Sequence, residues 1–169
     1  MYYDATEIMK VEYKTFDNTY LNASYIWLTD PEINNLLGAG VISKDGQKKW
    51  FQSLDNRMDY MIWGVEYNNK PIGAVGIKNI ESNKGEYFGY IGEKAFWGKG
   101  IGHDMVSFIM KQAKKRSLYE LYLQVKSCNL RAIRLYEKMG FKRILDNNNK
   151  LSCYNDMLLY HLILCDKNA

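Results

Sequence analysis

The stretch Trp97-Gly98-Lys99-Gly100-Ile101-Gly102 decides how the rest of the chain is read. Residues 86–92 before it alternate as a strand, and Ile101, Met105, Phe108, Ile109 and Ala113 after it recur at the spacing of one helix face. Three glycines between a strand and an amphipathic helix let the backbone turn sharply and approach a ligand closely. The first turn of a helix has unpaired N–H groups and a partial positive charge, so these features together form a pyrophosphate site without any basic side chain. Lys99 can add a charge-assisted contact. A plain structural turn is the competing reading of the same glycines.

Working outward, residues 59–67 and 71–80 read as strands joined at Asn68-Asn69, and Ser82-Asn83-Lys84-Gly85 turns the chain into the strand at 86–92. The glycine stretch therefore follows an antiparallel meander, whereas a dinucleotide fold carries its glycines at the first strand of a βαβ unit. No Gly-Lys-Ser/Thr sequence is present, so the P-loop reading fails as well. Downstream, residues 119–126 alternate as a strand, 129–139 form a helix ended by Gly140, and 141–145 and 156–164 are the last two strands. A loop containing Asn147-Asn148-Asn149 lies between those two. The strand–helix–strand crossover from 86 to 126 implies a parallel pair inside an otherwise antiparallel sheet.

Toward the start, a strand is expected near 9–13. A helix follows with Tyr20, Ser24, Trp27 and Leu28 on one face. Asp30-Pro31 reads as an N-cap with proline at the first helical position of a short helix stopping near Gly38. Ser43 caps a further helix with Trp50, Phe51 and Leu54 as its buried stripe. No repeat or linker divides the chain, which reads as a single domain over 1–169.

Composition narrows the function classes. With 47% apolar and 25% charged residues the 169-residue chain can fill a core. The net charge of +4 is too small for a nucleic-acid protein, and no basic block is interleaved with aromatics. The basic residues Lys111, Lys114, Lys115 and Arg116 read as a solvated helix end. Cys128, Cys153 and Cys165 have neither pairing nor ligand spacing, and the two histidines, His103 and His161, stand apart, so no metal is expected. A first-turn, partly exposed position is expected for His103 and a core or sheet-face position for His161. The start of the sequence lacks a signal pattern and no apolar run is long enough for a bilayer, which predicts a cytoplasmic protein with no membrane partner.

The glycine stretch resembles motif A of the GNAT superfamily of N-acetyltransferases, Gln/Arg-x-x-Gly-x-Gly/Ala, with Gly100 and Gly102 matching and Trp97 replacing Gln or Arg. A second segment, Asn129-Leu130-Arg131-Ala132 followed by Leu135-Tyr136-Glu137-Lys138-Met139-Gly140-Phe141, resembles motif B at the proper distance. The resemblance is close over residues 59–145. It implies an α+β (mixed α/β) fold with a central, mostly antiparallel twisted sheet of about six to seven strands. That sheet splays at the cofactor site and helices flank it. It also implies acetyl-CoA as co-substrate, with the pantetheine arm lying in the splay like an added strand. By the same analogy, backbone groups of Tyr90, Ile91 and Gly92 hold the pantetheine. Those of Trp97, Gly98, Lys99, Gly100, Ile101 and Gly102 hold the pyrophosphate. Asn129 and Arg131 complete the cofactor set, and Tyr136 protonates the departing thiolate.

Glu86 is the carboxylate nearest to where the family often places a general base, and it shares a strand face with Phe88 and Tyr90. An exposed edge-strand carboxylate is the alternative. Glu93 is a poorer candidate, because it sits in the approach to the glycine loop.

In the resembled family the first helices form the acceptor wall. Trp27 and Trp50 are the aromatics assigned there to stack on a sugar or base, and Gly38-Ala39-Gly40 is a mobile lip. Residues 25–34 with Trp50-Phe51 resemble enzymes that acetylate nucleotide-linked amino sugars. They resemble less specifically enzymes acting on protein N-termini or polyamines. A polyamine site would favour an acidic face, which the first fifty residues lack. The expected acceptor is a small-molecule amine, with a catalytically silent acyl-CoA-binding module as the alternative of another class. Members of the family often dimerise, and the last strand offers a surface for a homodimer.

Overall fold

A computed structural model describes residues 10–145, 153–154 and 156–164. The elements are β1 (Val11–Thr15), α1 (Asn18–Thr29), α2 (Pro31–Leu37), α3 (Lys44–Ser53), β2 (Met61–Tyr67), β3 (Lys70–Glu81), β4 (Lys84–Ile91), α4 (Ile101–Lys115), β5 (Glu120–Lys126), α5 (Leu130–Lys138), β6 (Lys142–Arg143), β7 (Cys153–Tyr154) and β8 (Met157–Ile163). The sheet order is β1-β2-β3-β4-β5-β8-β6, with β7 also pairing β8. Six strands have five residues or more, and two are two-residue pairings on β8. The architecture is the mixed, mostly antiparallel sheet with flanking helices that the sequence implied.

Local chemistry sets the helix ends. Asp30 stops α1 in an extended conformation and caps α2, its carboxylate accepting from the N–H groups of Glu32 and Ile33, while Pro31 begins the helix. Gly38 closes α2 in the left-handed region, and the Ser43 hydroxyl accepts from Gly46 N–H to start α3. The two hairpins turn on Asn68-Asn69 and Ser82-Asn83, all four residues having positive φ, as tight two-residue turns require.

The main core lies between the sheet and α4 with α5, where Val75, Ile77, Met105, Val106, Ile109, Leu121 and Leu123 are sealed from solvent. Burying each such side chain contributes about 1.5–3 kcal/mol. On the other face Phe16, Tyr20 and Ala74 form a smaller core under α1 and α3.

Several boundaries differ from the sequence reading; β4, expected over 86–92, runs from Lys84 to Ile91. The first strand starts at Val11, and residue 9 lies outside the described residues. β2 starts at Met61, because Asp59 is held by Arg57 and its carbonyl accepts from Ile80 N–H. The expected strand at 141–145 shortens to Lys142–Arg143, while the loop around Asn147-Asn148-Asn149 lies outside the described residues. The buried stripe of α3 is only half-buried: Trp50 and Phe51 pack on the Phe16 cluster, and Leu54 starts a separate 3₁₀ turn. Trp50 stays half-open because α3 roofs a cavity instead of a filled core.

The crossover through α4 makes β4 and β5 parallel, and their pairing ends after three residues, Lys84–Glu86 against Glu120–Tyr122. β4 continues to Ile91 and β5 to Lys126. The two strands therefore part at the end where the glycine stretch begins. Among the described residues no helix is long and apolar enough to cross a membrane.

Candidate active site

A cavity of about 850 Å³ opens where β4 leaves β5. One side is formed by the start of α4 and by α5, the other by α1, α2 and α3. The glycine stretch forms its first rim. Gly100 has φ +81° and is the N-cap of α4, with no side-chain capping bond. The first intrahelical bonds run from His103 and Asp104 to the Gly100 carbonyl, so the amides before His103 precede the helix's own ladder. An anion is the natural partner for such a terminus. Gly98, Gly100, Ile101 and Gly102 line the cavity, and Gly102 packs against Leu135 of α5.

Trp97 has a role its motif position does not suggest. Its indole N–H donates to the Ile91 carbonyl at 2.7 Å, pinning the loop to the end of β4. The Arg131 guanidinium stacks on the same indole at 4.2 Å from the ring centroid. Arg131 is thereby brought to the rim beside the glycines. Lys99 folds over the Phe96 ring instead and does not line the cavity.

Tyr136 projects from α5 into the floor. It is 8% exposed, and its ring meets that of Tyr87 edge-on at 5.7 Å. Burial lifts its phenol above the ordinary tyrosine range, and the neighbouring Tyr87 opposes part of that rise. Asn129 caps α5 by accepting from Ala132 N–H, and its amide donates to the Leu36 carbonyl of α2 at 3.4 Å. It reaches the cavity wall with both polar ends engaged.

On the opposite side Glu86 is 6% exposed, so it is no exposed edge carboxylate. Its Oε2 accepts from the Asn79 amide at 2.8 Å, and Lys78 Nζ stands 3.5 Å from Oε1. Trp50, Tyr60, Phe88 and Tyr90 wall this half of the cavity. Burial pushes the Tyr60 phenol up to about 12, against the neighbouring Trp50 and Arg57, which lower it.

Besides Lys99, two predicted residues fall elsewhere. Trp27 does not line the cavity: it is buried behind Gly92, and its indole N–H donates to Glu93 Oε1 at 3.1 Å. Gly92 is likewise off the wall, its N–H committed to the Ile72 carbonyl at 2.7 Å. That leaves Tyr90 and Ile91 of the expected pantetheine set on the lining. His103 is exposed at the rim, and His161 sits on the sheet face against Glu120 at 3.2 Å. Exposed Cys128 is not on the lining. Sequence reasoning missed Lys78, Asn79 and Tyr87. An asparagine inside an otherwise apolar strand pattern is a poor strand former and was the available signal for Asn79.

The sequence profile of the acetyltransferase (GNAT) family matches residues 9–141. An uncharacterized protein of Methanocaldococcus jannaschii is 33% identical over 95 residues, which is 56% of this chain and 20% of that one. The chain thus spans a fifth of that relative's length. The crystal structure of a domain from Methanocaldococcus jannaschii superposes with a TM-score of 0.80 at 22% identity, covering 92% of this chain and 99% of that one. Spermidine N-acetyltransferase from Vibrio cholerae, solved with CoA and spermine, superposes with a TM-score of 0.77 at 18% identity, covering 91% and 95%.

Proposed function

The chain belongs to the acetyltransferase (GNAT) family, and from that premise we propose that it transfers the acetyl group of acetyl-coenzyme A to a primary amine by direct attack. The observation that carries the reading is that a buried carboxylate, Glu86, and a buried phenol, Tyr136, line the same cavity at the point where the sheet parts. The uncapped start of α4, with Arg131 beside it, suits the pyrophosphate. The β4 edge beyond Glu86, no longer paired with β5, suits an amide-bearing arm.

The proton steps follow from the two side chains. Glu86, directly or through water, takes a proton from the incoming ammonium. The neutral amine then attacks the thioester carbonyl; a C–N bond forms and the C–S bond breaks. The Tyr136 hydroxyl gives its proton to the departing sulfur, and the second proton lost by the new amide nitrogen restores the phenol, directly or through water. A phenol lifted above its ordinary range is fully protonated at neutral pH, as a donor must be.

The acceptor follows from the other half of the cavity. Glu86 is its sole carboxylate among the described residues, whereas Lys78 and Lys126 both line it. A polyamine would be served by several carboxylates. The aromatic wall of Trp50, Tyr60 and Phe88 suits a ring. These features favour a small-molecule amine with a ring and an anionic group, such as a nucleotide-linked amino sugar. Free thiol released from acetyl-CoA, measured across UDP-linked amino sugars, spermidine and an alanine-ended peptide, tests the reading. Turnover of the amino sugar supports it, and turnover of the peptide alone overturns it.

A further inference from the structure

The regular alternation of β3 breaks beside Glu86. Lys78 stands opposite Glu86 and Glu81 opposite Lys84, with a register shift between, so Asn79 and Ile80 share the space of one residue. Asn79 has φ +51°, the left-handed region that side chains other than glycine enter at a cost. Consecutive side chains on a strand point to opposite faces. Here, however, Lys78 and Asn79 both reach the Glu86 carboxylate, one at each oxygen. Across on β5, Tyr122 is the register partner of Glu86. Asn79 itself is exposed and lines none of the cavity.

We propose that Asn79 is a positioning residue for the general base: the bulge turns its amide onto Glu86 Oε2, fixing the plane of the carboxylate that receives the proton of the acceptor amine. The inference rests on the reading of Glu86 as the base. The ionisable groups facing Glu86 are Lys78 of β3, Tyr122 of β5 and Tyr60 at the entry to β2. Asn79 is the neutral donor among them. Its hydrogen bond holds the carboxylate in one plane, so removing it frees that carboxylate to rotate.

Two substitutions separate side chain from backbone. Asn79→Gly keeps the positive φ and removes the amide. Asn79→Asp keeps the shape and replaces the donor by a like charge. Turnover of a UDP-linked amino sugar is measured for both. The expected kcat falls about fivefold in Asn79→Gly and by more in Asn79→Asp, while KM for acetyl-CoA stays unchanged, a split that a merely structural loss would not give. A kcat identical to wild type in both variants overturns the role of Asn79. Wild-type turnover by Glu86→Gln overturns the reading of Glu86 as the base, whatever the Asn79 variants do.

Discussion

The indole N–H of Trp97 donates to the Ile91 carbonyl at 2.7 Å, so the last residue of β4 and the start of the glycine loop are held together by a side chain. The loop that forms the proposed anion site is thus fastened to the strand that borders the splay. The same ring carries the Arg131 guanidinium. Trp97→Phe keeps the ring face for Arg131 and removes the bond. It is expected to weaken coenzyme A binding about fivefold by calorimetry, in line with one lost hydrogen bond. Unchanged affinity would mean that the loop holds its shape without the anchor.

Gly100 owes its place to its backbone, since a Cβ there would meet no atom within 4 Å while φ is +81°. Gly100→Ala forces a left-handed conformation costing about 1–2 kcal/mol on a residue that can relieve it by turning the loop. Coenzyme A affinity should fall about tenfold or more, with little change in thermal stability, because the loop and not the core absorbs the strain. A loss of stability without loss of affinity would contradict this.

Tyr136→Phe should lower kcat by about a hundredfold or more and leave acetyl-CoA affinity within about twofold. Because burial raises the phenol above its ordinary value, Tyr136 should cause no alkaline decline in kcat below about pH 10. A wild-type rate in the variant removes Tyr136 from the mechanism.

Glu93 belongs to the scaffold. The Trp27 indole N–H and then Lys70 hold its carboxyl below the usual glutamate range. A depressed carboxyl contributes stability that is present above its unfolded pKa and is lost as pH falls through its folded value. Glu93→Gln should therefore melt below wild type near pH 7, and the gap should close as pH drops below about 4. Melting curves that stay equally far apart at both pH values would show that the ionised form is not what matters.

Much of this was legible because it is written in local patterns. Asp30-Pro31, Ser43, Gly38 and Gly140 mark helix ends through backbone chemistry that depends on neighbours in sequence. Alternation and helical spacing located β4, α4, β5 and α5 around the glycine stretch, and the crossover forced the parallel pair. What was not legible depends on contacts between distant residues. The Trp27 stripe position correctly implied burial, yet only the packed structure shows its ring over Gly92 and not on the acceptor wall. Glu86 read as a general base or as an exposed edge carboxylate, because a strand face is buried only by what covers it. Asn79 reaches Glu86 through a bulge, and a bulge shifts the period on which the strand reading rests.

The most direct test of the account supplies isotopically labelled acetyl-CoA and a UDP-linked amino sugar to the wild-type protein and to Glu86→Gln and Tyr136→Phe. Mass spectrometry of the sugar is read alongside release of free thiol. The account predicts one N-acetylated sugar per thiol released by the wild type, and a large loss of both signals in each variant. Tight binding of acetyl-CoA with no amine-dependent thiol release, from that sugar or from any amine in the panel, would contradict it and mark the protein as an acyl-CoA-binding module.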